Sequence, residues 1–319
     1  MTRRALIFGI TGQDGSFLAK SLLKKNYDVF GVSRSNKPNR VNHKLINIER
    51  EIDIRSINSS DIREISSLIE KLSPNEIYNL AGQSSVGISF LRPLPTLESI
   101  VDLTRNILES SRRLNYDGNL FFAGSGEIFG ETKIKATLES KRHPKSPYAV
   151  GKYESMLLVN LYRDYFGLNS KTGILFNHES FLRGENFVTH KLIKGAIECS
   201  LNKNKKIKLG NLSIYRDWGC AEEYVEAIQL INRNVLNTDH IICTGTGTSL
   251  VKIVQLIFDY LGLNWEDHVI IDKTLFRVSD VETSIGNPDP LLKELGWQAS
   301  KDVKTIFESI IHKYLKSRS

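Results

Sequence analysis

A short apolar run, ALIFGI at residues 5–10, leads directly into a glycine-rich turn, and this junction limits the fold more than any other feature of the chain. The turn reads GITGQDG, and the segment after it, SFLAKSLLKKN, carries its leucines at helical spacing. A buried strand, a tight glycine turn and a helix N-terminus together bind pyrophosphate, because the glycines let the backbone approach the phosphates and the helix dipole attracts them. The sequence therefore predicts an α/β domain that binds a dinucleotide.

The alternation of strands and helices continues as far as Glu179. Apolar strands such as DVFGVSR, NEIYNLA, NLFFAGS and KTGILFNHES alternate with the helical segments IREISSLIEKL, residues 97–114 and KYESMLLVNLYRDYF. This pattern is typical of a parallel sheet covered on both faces. After Glu179 come two further helical segments, the second read from Trp218, and then a mixture of helices and short strands.

We therefore predict an α/β fold with a Rossmann-type doubly wound parallel sheet and a smaller α/β C-terminal substrate domain. Residues 1–178 and about 217–245 are assigned to the first domain. Residues of about 179–216 and 246–319 are assigned to the second. The assignment rests on the change of strand rhythm at Glu179 and on the helix and strand pattern that returns near residue 217.

Composition excludes several classes of function. No run of 18 or more apolar residues appears, and the N-terminal segment has no signal-peptide cleavage site, so we expect a cytoplasmic protein without a membrane partner. The three cysteines are far apart and form neither a metal-binding pattern nor a disulfide framework. The net charge is +7, but the densest basic cluster, NKNKKIK at residues 202–208, lacks the interleaved aromatics of a nucleic-acid platform. We expect no metal and no nucleic acid.

The end of the second predicted strand indicates which dinucleotide binds. An acidic residue there would hydrogen-bond the ribose hydroxyls of NAD. The sequence GVSRSNK has none and offers Arg34, Ser35 and Lys37 instead. Because a guanidinium can pair with a 2′-phosphate, we predict NADP as the cofactor, with Arg34 as its contact.

Tyr148 and Lys152, in SPYAVGK, are four residues apart and share one helix face. An ammonium about 4 Å from the phenol, at an effective dielectric of about 20, contributes about 4 kcal/mol. That would lower the pKa of the tyrosine from about 10 toward about 7, so that the phenol could act as a base. Together with the glycine turn and Ser125 at the end of an intervening strand, this pair is more specific than a chance tyrosine–lysine spacing.

On these motifs the chain is identified as a member of the extended short-chain dehydrogenase/reductase superfamily, and within it the chain resembles the GDP-mannose 4,6-dehydratase family. The segments ITGQDGSFLA, EIYNLAGQS, SPYAVGK, GILFNHES, RGENFVT and RDWGCAEEYVEA read as that family's segments. The segment NHES followed by RGENFVT is more specific than the motifs shared by the whole superfamily, so it favours the GDP-mannose 4,6-dehydratase branch. The chain departs from the family at Ser125, usually threonine, at His190, usually arginine, and near Pro95, where a cofactor-contacting tyrosine is lost.

The resemblance implies three groups of site residues. The catalytic residues would be Ser125, Glu127, Tyr148 and Lys152. The cofactor-binding residues would be Gly9, Thr11, Gly12, Gln13, Asp14, Gly15, Arg34, Asp53, Ile54, Leu80, Ala81, Gln83, Ser84, Tyr148, Lys152, His178 and Arg183. The substrate-binding residues would be Ser85, Asn177, Val188, Lys191, Gly210, Arg216, Arg277 and Glu282.

Glu127 distinguishes the reactions open to such a site. Oxidation or reduction at C4 of a sugar needs only the serine, tyrosine and lysine, whereas dehydration also needs a base for the C5 proton. The resemblance therefore implies conversion of GDP-mannose to GDP-4-keto-6-deoxymannose, with NADP reduced and reoxidised in one cycle, in a homodimer or homotetramer. The alternatives are a GDP-sugar 4-reductase or epimerase, a dehydratase for a related GDP-hexose or GDP-heptose, and a catalytically silent NADP-binding protein.

Overall fold

A computed structural model describes residues 2–276 and 279–316. Its strands are β1 (Arg4–Phe8), β2 (Asp28–Ser33), β3 (Asp53–Ser56), β4 (Glu76–Asn79), β5 (Asn119–Ser125), β6 (Ser170–Leu175), β7 (Asn177–Glu179), β8 (Ile207–Leu209), β9 (Tyr215–Cys220), β10 (His240–Ile242), β11 (Gly247–Ser249), β12 (Val269–Ile271) and β13 (Thr283–Ser284).

The α-helices are α1 (Gln13–Lys24), α2 (Val41–Leu45), α3 (Ile62–Leu72), α4 (Val86–Leu91), α5 (Pro93–Leu97), α6 (Leu103–Arg113), α7 (Pro147–Phe166), α8 (Val188–Leu201), α9 (Ala221–Arg233), α10 (Leu250–Tyr260), α11 (Asp289–Leu295) and α12 (Val303–Lys316). None of the helices in the described part of the chain combines the length and apolar character needed to cross a membrane.

Seven strands form one sheet in the order β10-β6-β5-β4-β1-β2-β3. Every pairing in it is parallel, which confirms the predicted doubly wound α/β fold. The chain moves outward from β1 through β2 to β3 and then returns to β4 on the other side of β1. The order therefore reverses between β1 and β4, and their carboxyl ends open a crevice of the kind in which dinucleotides bind.

Apolar helix faces cover both sides of this sheet. Helices α1 and α9 bury one face, including Leu18, Leu22 and Ile228. Helices α3, α6 and α7 bury the other. The spacing of Ile65, Leu68, Ile69 and Leu72 gives α3 a continuous buried stripe. Burying such side chains contributes about 1.5–3 kcal/mol each, which fixes the helices against the sheet.

Glu76 anchors the opposite, amino-terminal edge of the sheet. Its side chain is fully buried, and its carboxylate accepts hydrogen bonds from Tyr27 (2.9 Å), Tyr78 (2.6 Å) and Arg233 (2.8 and 3.1 Å) and pairs with Arg3 (3.0 Å). Because Arg233 ends α9, this network attaches α9 to the sheet although the two are far apart in sequence.

The later part of the chain has a core of its own. Helices α8, α10 and α12 bury apolar side chains around Trp218 on β9. In a second sheet, β7 and β13 pair in parallel with β9, whereas β11 pairs antiparallel to it. Strands β8 and β12 form a separate parallel pair.

Two predicted helices have different bounds in the structure. The helix read from Trp218 begins at Ala221, because Tyr215–Cys220 is strand β9. The segment expected to be one helix at residues 97–114 is divided into α5, a π-helical turn at Glu98–Asp102 and α6. Ile100 in that turn lies so close to Gly82 that a Cβ there would come within 2.9 Å of it, so the widened turn packs directly on the loop after β4.

Candidate active site

The glycine turn after β1 has the geometry of a phosphate-binding site. Gly9 has φ +85°, and a Cβ at this residue would lie 2.8 Å from the carbonyl carbon of Leu80. A Cβ on Gly15 would lie 2.3 Å from the Gly9 carbonyl oxygen. Gly12 is the N-cap of α1, and it has no side chain to accept hydrogen bonds from the first amides of the helix. The first amides of α1 therefore remain available to an anion, and a pyrophosphate fits this turn.

The side chains of the turn are fixed to the segment after β6. Gln13 Nε2 donates to the His178 carbonyl (3.2 Å), and Ser180 Oγ donates to Gln13 Oε1 (2.7 Å). Asp14 and His178 form an ion pair at 3.0 Å. Burial raises the pKa of Asp14, but the charge and hydrogen bonds of His178, with the charge of Arg183, outweigh it and lower the pKa to about 2. The carboxylate is therefore ionised.

Arg34 follows β2 at the carboxyl end of the sheet and is exposed. It borders a cavity of about 510 Å³ together with residues 56–60, which include three serines. Within residues 2–276 and 279–316, no carboxylate lies within 4.0 Å of its guanidinium. The register pairs Phe30 with Asp53 and Ser33 with Ser56, which places Asp53 and Ile54 in the amino-terminal half of β3. Ser56 and Ile57 line this cavity, whereas Asp53 and Ile54 lie farther from the carboxyl end of β3, and their position beside the adenine stays a prediction.

A second cavity, of about 180 Å³, lies at the carboxyl ends of β5 and β6 and is lined by Ser125, Glu127, Tyr148 and Lys152 together. Ser125 is the last residue of β5, and the 3₁₀ turn Gly126–Phe129 carries Glu127. Ser146 caps α7 by accepting the Ala149 amide at 3.1 Å. The cap places Tyr148 in the first turn of α7 and Lys152 one turn later, so local sequence determines this arrangement.

Lys152 is 6% exposed, and its ammonium donates to the Ala123 carbonyl at 2.7 Å. The nitrogen lies 4.9 Å from the ring centre of Phe122 and 5.9 Å from that of Tyr148. Burial lowers the pKa of Lys152 to about 8, against the attraction of Asp14. Lys152 is therefore mostly cationic at pH 7.

Burial raises the pKa of Tyr148 to about 12; the hydrogen bond with Ser125 lowers it and the charge of Glu127 raises it. The expectation of a pKa near 7 is wrong for the protein alone. Helical spacing places Lys152 beside the tyrosine, but its nitrogen turns toward Ala123 and Phe122, and the loss of water around the phenol has the larger effect. A low tyrosine pKa would therefore require further positive charge in the cavity.

Glu127 is half-buried, and its carboxylate accepts no hydrogen bond from any other residue that the structure describes. Its backbone amide donates to Ser125 Oγ at 3.3 Å, but the side chain does not bond to its own turn. The charge of Glu127 acts on Tyr148. A carboxylate in this position can exchange protons with a group bound against Tyr148.

Two arginines supply positive charge to the same cavity. Arg183 Nε lies 3.6 Å from Glu179, and the guanidinium stacks 3.7 Å from the ring centre of Phe187. Arg216, on β9, is buried, and its Nη1 donates to the carbonyl oxygens of Tyr215 (2.9 Å) and Glu282 (3.2 Å). With Lys152, they make the cavity suitable for an anionic ligand.

Comparison with known proteins then assigns the family. Residues 6–310 match the family model described as GDP-mannose 4,6 dehydratase. The chain belongs to the GDP-mannose 4,6-dehydratase family. GDP-mannose 4,6 dehydratase 1 of Arabidopsis thaliana is 37% identical over 320 residues, covering 96% of this chain and 87% of that protein. A GDP-mannose 4,6-dehydratase of Vibrio cholerae is 32% identical over 356 residues, covering 99% of this chain and 95% of that protein.

Solved structures outside the GDP-mannose 4,6-dehydratase family share the fold. UDP-glucose 4-epimerase of Thermotoga maritima superposes with a TM-score of 0.87 at 21% identity, covering 99% of this chain and 100% of that one. The dTDP-glucose 4,6-dehydratase of Bacillus anthracis, solved with NAD, gives 0.86 at 18% identity, covering 99% and 98%. These likenesses extend over the whole chain and show a common architecture.

Several residues that the family resemblance suggested also line the cavity with the catalytic group, namely Asp14, Leu80, Ser84, Ser85, Asn177, His178, Arg183, Val188 and Arg216. Others lie outside it. Lys191 is exposed on α8, Gly210 packs against the Leu275 carbonyl, and Glu282 accepts a hydrogen bond from Arg216 at its backbone oxygen. Gln83 donates to the Ser85 carbonyl (2.8 Å) and so fixes that loop. Arg277 lies outside the described residues.

Sequence reasoning missed other cavity residues of this family member. They include Val86, Glu179, Asn186, Phe187, Thr189, Ile214, Trp218 and Ser284. Glu179 accepts a hydrogen bond from Thr189 (2.7 Å) and pairs with Arg183, so it orients the arginine. The segments NHES and RGENFVT contain four of the missed residues, and treating both segments as continuous cavity walls would have found them.

Proposed function

We propose that this chain is a GDP-mannose 4,6-dehydratase, which converts GDP-mannose to GDP-4-keto-6-deoxymannose. The observation that carries the proposal is the carboxylate of Glu127, which has no described hydrogen-bond partner and shares a cavity with Ser125, Tyr148 and Lys152. Hydride exchange at C4 does not require this acid, whereas removal of a C5 proton does.

NADP is the cofactor we propose. The α1 amides would bind its pyrophosphate. Arg34 and the serines among residues 56–60 would bind its 2′-phosphate. Lys152 and Arg183 would contact the end of the cofactor that reaches the catalytic cavity. Bound NADP would accept hydride from C4 and return it to C6, so that the reaction has no net redox change. Ser56 and Ile57, which line the cavity with Arg34, are further proposed contacts of the adenosine.

The protein residues carry the proton steps. Tyr148 takes the proton of the C4 hydroxyl as the phenolate, a form that the positively charged ring of bound NADP would favour by lowering the tyrosine pKa from about 12. Ser125, which hydrogen-bonds Tyr148, stabilises the charge that develops on the C4 oxygen. Lys152 adds positive charge beside the phenol. Once C4 is a ketone, the C5 proton is acidic. Glu127 removes this proton and delivers one to the C6 hydroxyl, which leaves as water. As C6 gains hydride, C5 takes up a proton exchanged with solvent, and Tyr148 releases the proton that it took from the C4 hydroxyl, so that the protons balance.

The substrate diphosphate would be held by arginines of the later part of the chain. Arg216 opens onto the cavity from β9, and we add Arg277 as its proposed partner. We further propose that residues 1–178 and about 217–245 bind the cofactor, while about 179–216 and 246–319 bind the nucleotide sugar. The attachment of α9 to the sheet through Glu76 and the separate core of α8, α10 and α12 support this division. A homodimer or homotetramer and a cytoplasmic location stay predictions.

The test is anaerobic incubation of the purified protein with GDP-mannose and a trace of NADP, without added reductant. We expect a product that has lost one water and carries a 4-ketone, identified by mass spectrometry and NMR. Tyr148→Phe is the control and should give none. A GDP-sugar 4-reductase or epimerase would give no dehydrated product, and a silent protein would bind NADP without any turnover. A product only from another GDP-hexose or a GDP-heptose would reassign the sugar.

A further inference from the structure

His178 connects the phosphate turn to β7 through an ion pair with Asp14. Its Nε2 lies 3.0 Å from each carboxylate oxygen of Asp14. Its Nδ1 lies 2.7 Å from the Phe176 carbonyl oxygen. The two nitrogens of this nearly buried ring therefore face acceptors on two different segments of the chain.

These contacts determine the charge of the ring. A carbonyl and an ionised carboxylate offer only lone pairs, so each ring nitrogen has to carry a hydrogen. Tyr224 packs against the ring at 4.8 Å between centres, and an aromatic face stabilises a cation. Arg183 opposes the charge from the other side. Burial lowers the pKa of His178, but the charge and hydrogen bond of Asp14 raise it overall.

His43, on α2, provides an internal comparison because it also contacts the glycine turn. Its Nε2 lies 2.9 Å from the Ile10 carbonyl oxygen, and its Nδ1 has no partner among the described residues. Burial lowers the pKa of His43. His43 and His178 therefore differ in their contact with an acid: the His178 ring hydrogen-bonds the Asp14 carboxylate directly, whereas Glu49 acts on His43 only through its charge.

Asp14 lies in the first turn of α1, where an acid can compete with a bound anion for the helix N-terminus. Its carboxylate instead accepts hydrogen bonds from His178 and from Gln13 (3.1 Å), and from no backbone amide in the described part of the chain. The amides thus stay open although a negative side chain is next to them.

We propose that the Asp14–His178 ion pair is a positioning device for the cofactor: it neutralises Asp14 and holds its carboxylate away from the α1 amides that receive a dinucleotide pyrophosphate. His178 is thereby a positioning residue. The proposal rests on the proposed function only in taking NADP as the dinucleotide.

The first test measures protonation without any cofactor. NMR of ¹⁵N-histidine-labelled protein across pH should show His178 titrating above a free histidine reference and His43 below it. Asp14→Asn should move the His178 midpoint below its wild-type value and leave that of His43 unchanged. If His178 of the wild-type protein titrates at or below the pH of the free histidine reference, the proposal is overturned, even if the variants do not fold.

The second test is a double-mutant cycle on NADP affinity measured by calorimetry. His178→Gln leaves Asp14 uncompensated and should weaken NADP binding by about tenfold. Adding Asp14→Asn should restore affinity to within about threefold of Asp14→Asn alone. A double variant as weak as His178→Gln would show that His178 acts by direct contact and would contradict the proposal. Wild-type protein that binds no NADP would refute the cofactor assignment, while the NMR result would still test the ion pair.

Discussion

Arg34 is expected to be the main source of a preference for NADP over NAD. It is exposed at the end of β2, has no described carboxylate partner within 4.0 Å, and borders a cavity with three serines. Hydrogen bonds to a charged group contribute about 1.5–3 kcal/mol. Because about 1.4 kcal/mol is tenfold in affinity, the preference should be at least about tenfold, and it should weaken as salt screens this exposed site.

The assay is calorimetric titration of both dinucleotides into wild type, Arg34→Ala and Lys37→Ala. Lys37 is also exposed in the same loop but does not line the cavity, so it is the matched control. Arg34→Ala should remove most of the preference, and Lys37→Ala should keep it. An Arg34→Ala protein with the full preference would refute the reasoning and assign the 2′-phosphate to another group.

Tyr148→Phe should abolish the transient NADPH in stopped-flow absorbance, because no phenol remains to take the C4 proton; a normal transient would exclude Tyr148 as the base. Glu76→Gln should lower the free energy of unfolding by about 1.5–3 kcal/mol in urea, since it removes the buried charge that accepts the hydrogen bonds of the half-buried Arg233, and a loss below about 1 kcal/mol would show that the network is dispensable. The pKa of Asp14 is lowered from 3.8 to about 2, so its ionised form stabilises the folded protein. This contribution is fully present above pH 3.8, the pKa in the unfolded chain, and is lost as the pH falls through about 2. The shift corresponds to about 2 kcal/mol, so Asp14→Asn should reduce stability at pH 6 but not at pH 2, as urea titrations at both values would show.

What the sequence allowed us to predict was local. The glycine turn depends on neighbouring residues, and the cap at Ser146 with the helical spacing brings Tyr148 and Lys152 to one face, so both are recognisable from short segments. The parallel sheet follows from the alternation of strands and helices. These features need no knowledge of distant contacts.

The features that the sequence did not reveal involve contacts between distant segments. The register of β3 against β2 places Ser56, not Asp53, level with Ser33, and no local pattern reveals such a register. The pKa of Tyr148 depends on burial by several segments, which outweighs a lysine one turn away. Ile214 and Ser284 reach the cavity from the later part of the chain, and no local pattern distinguishes them.

The central claim is that Glu127 makes this site a dehydratase, and exchange at C5 tests it most directly. In deuterated water, wild type should convert GDP-mannose to a 6-deoxy-4-keto product with deuterium at C5. Glu127→Gln should still oxidise C4 but retain the C5 proton and the 6-hydroxyl, accumulating NADPH, with product formation slower by about 10²–10⁴-fold. Glu154→Gln, an exposed change on α7, is the control and should behave as wild type. A Glu127→Gln enzyme that forms deuterated 6-deoxy product at near wild-type rate would contradict the account.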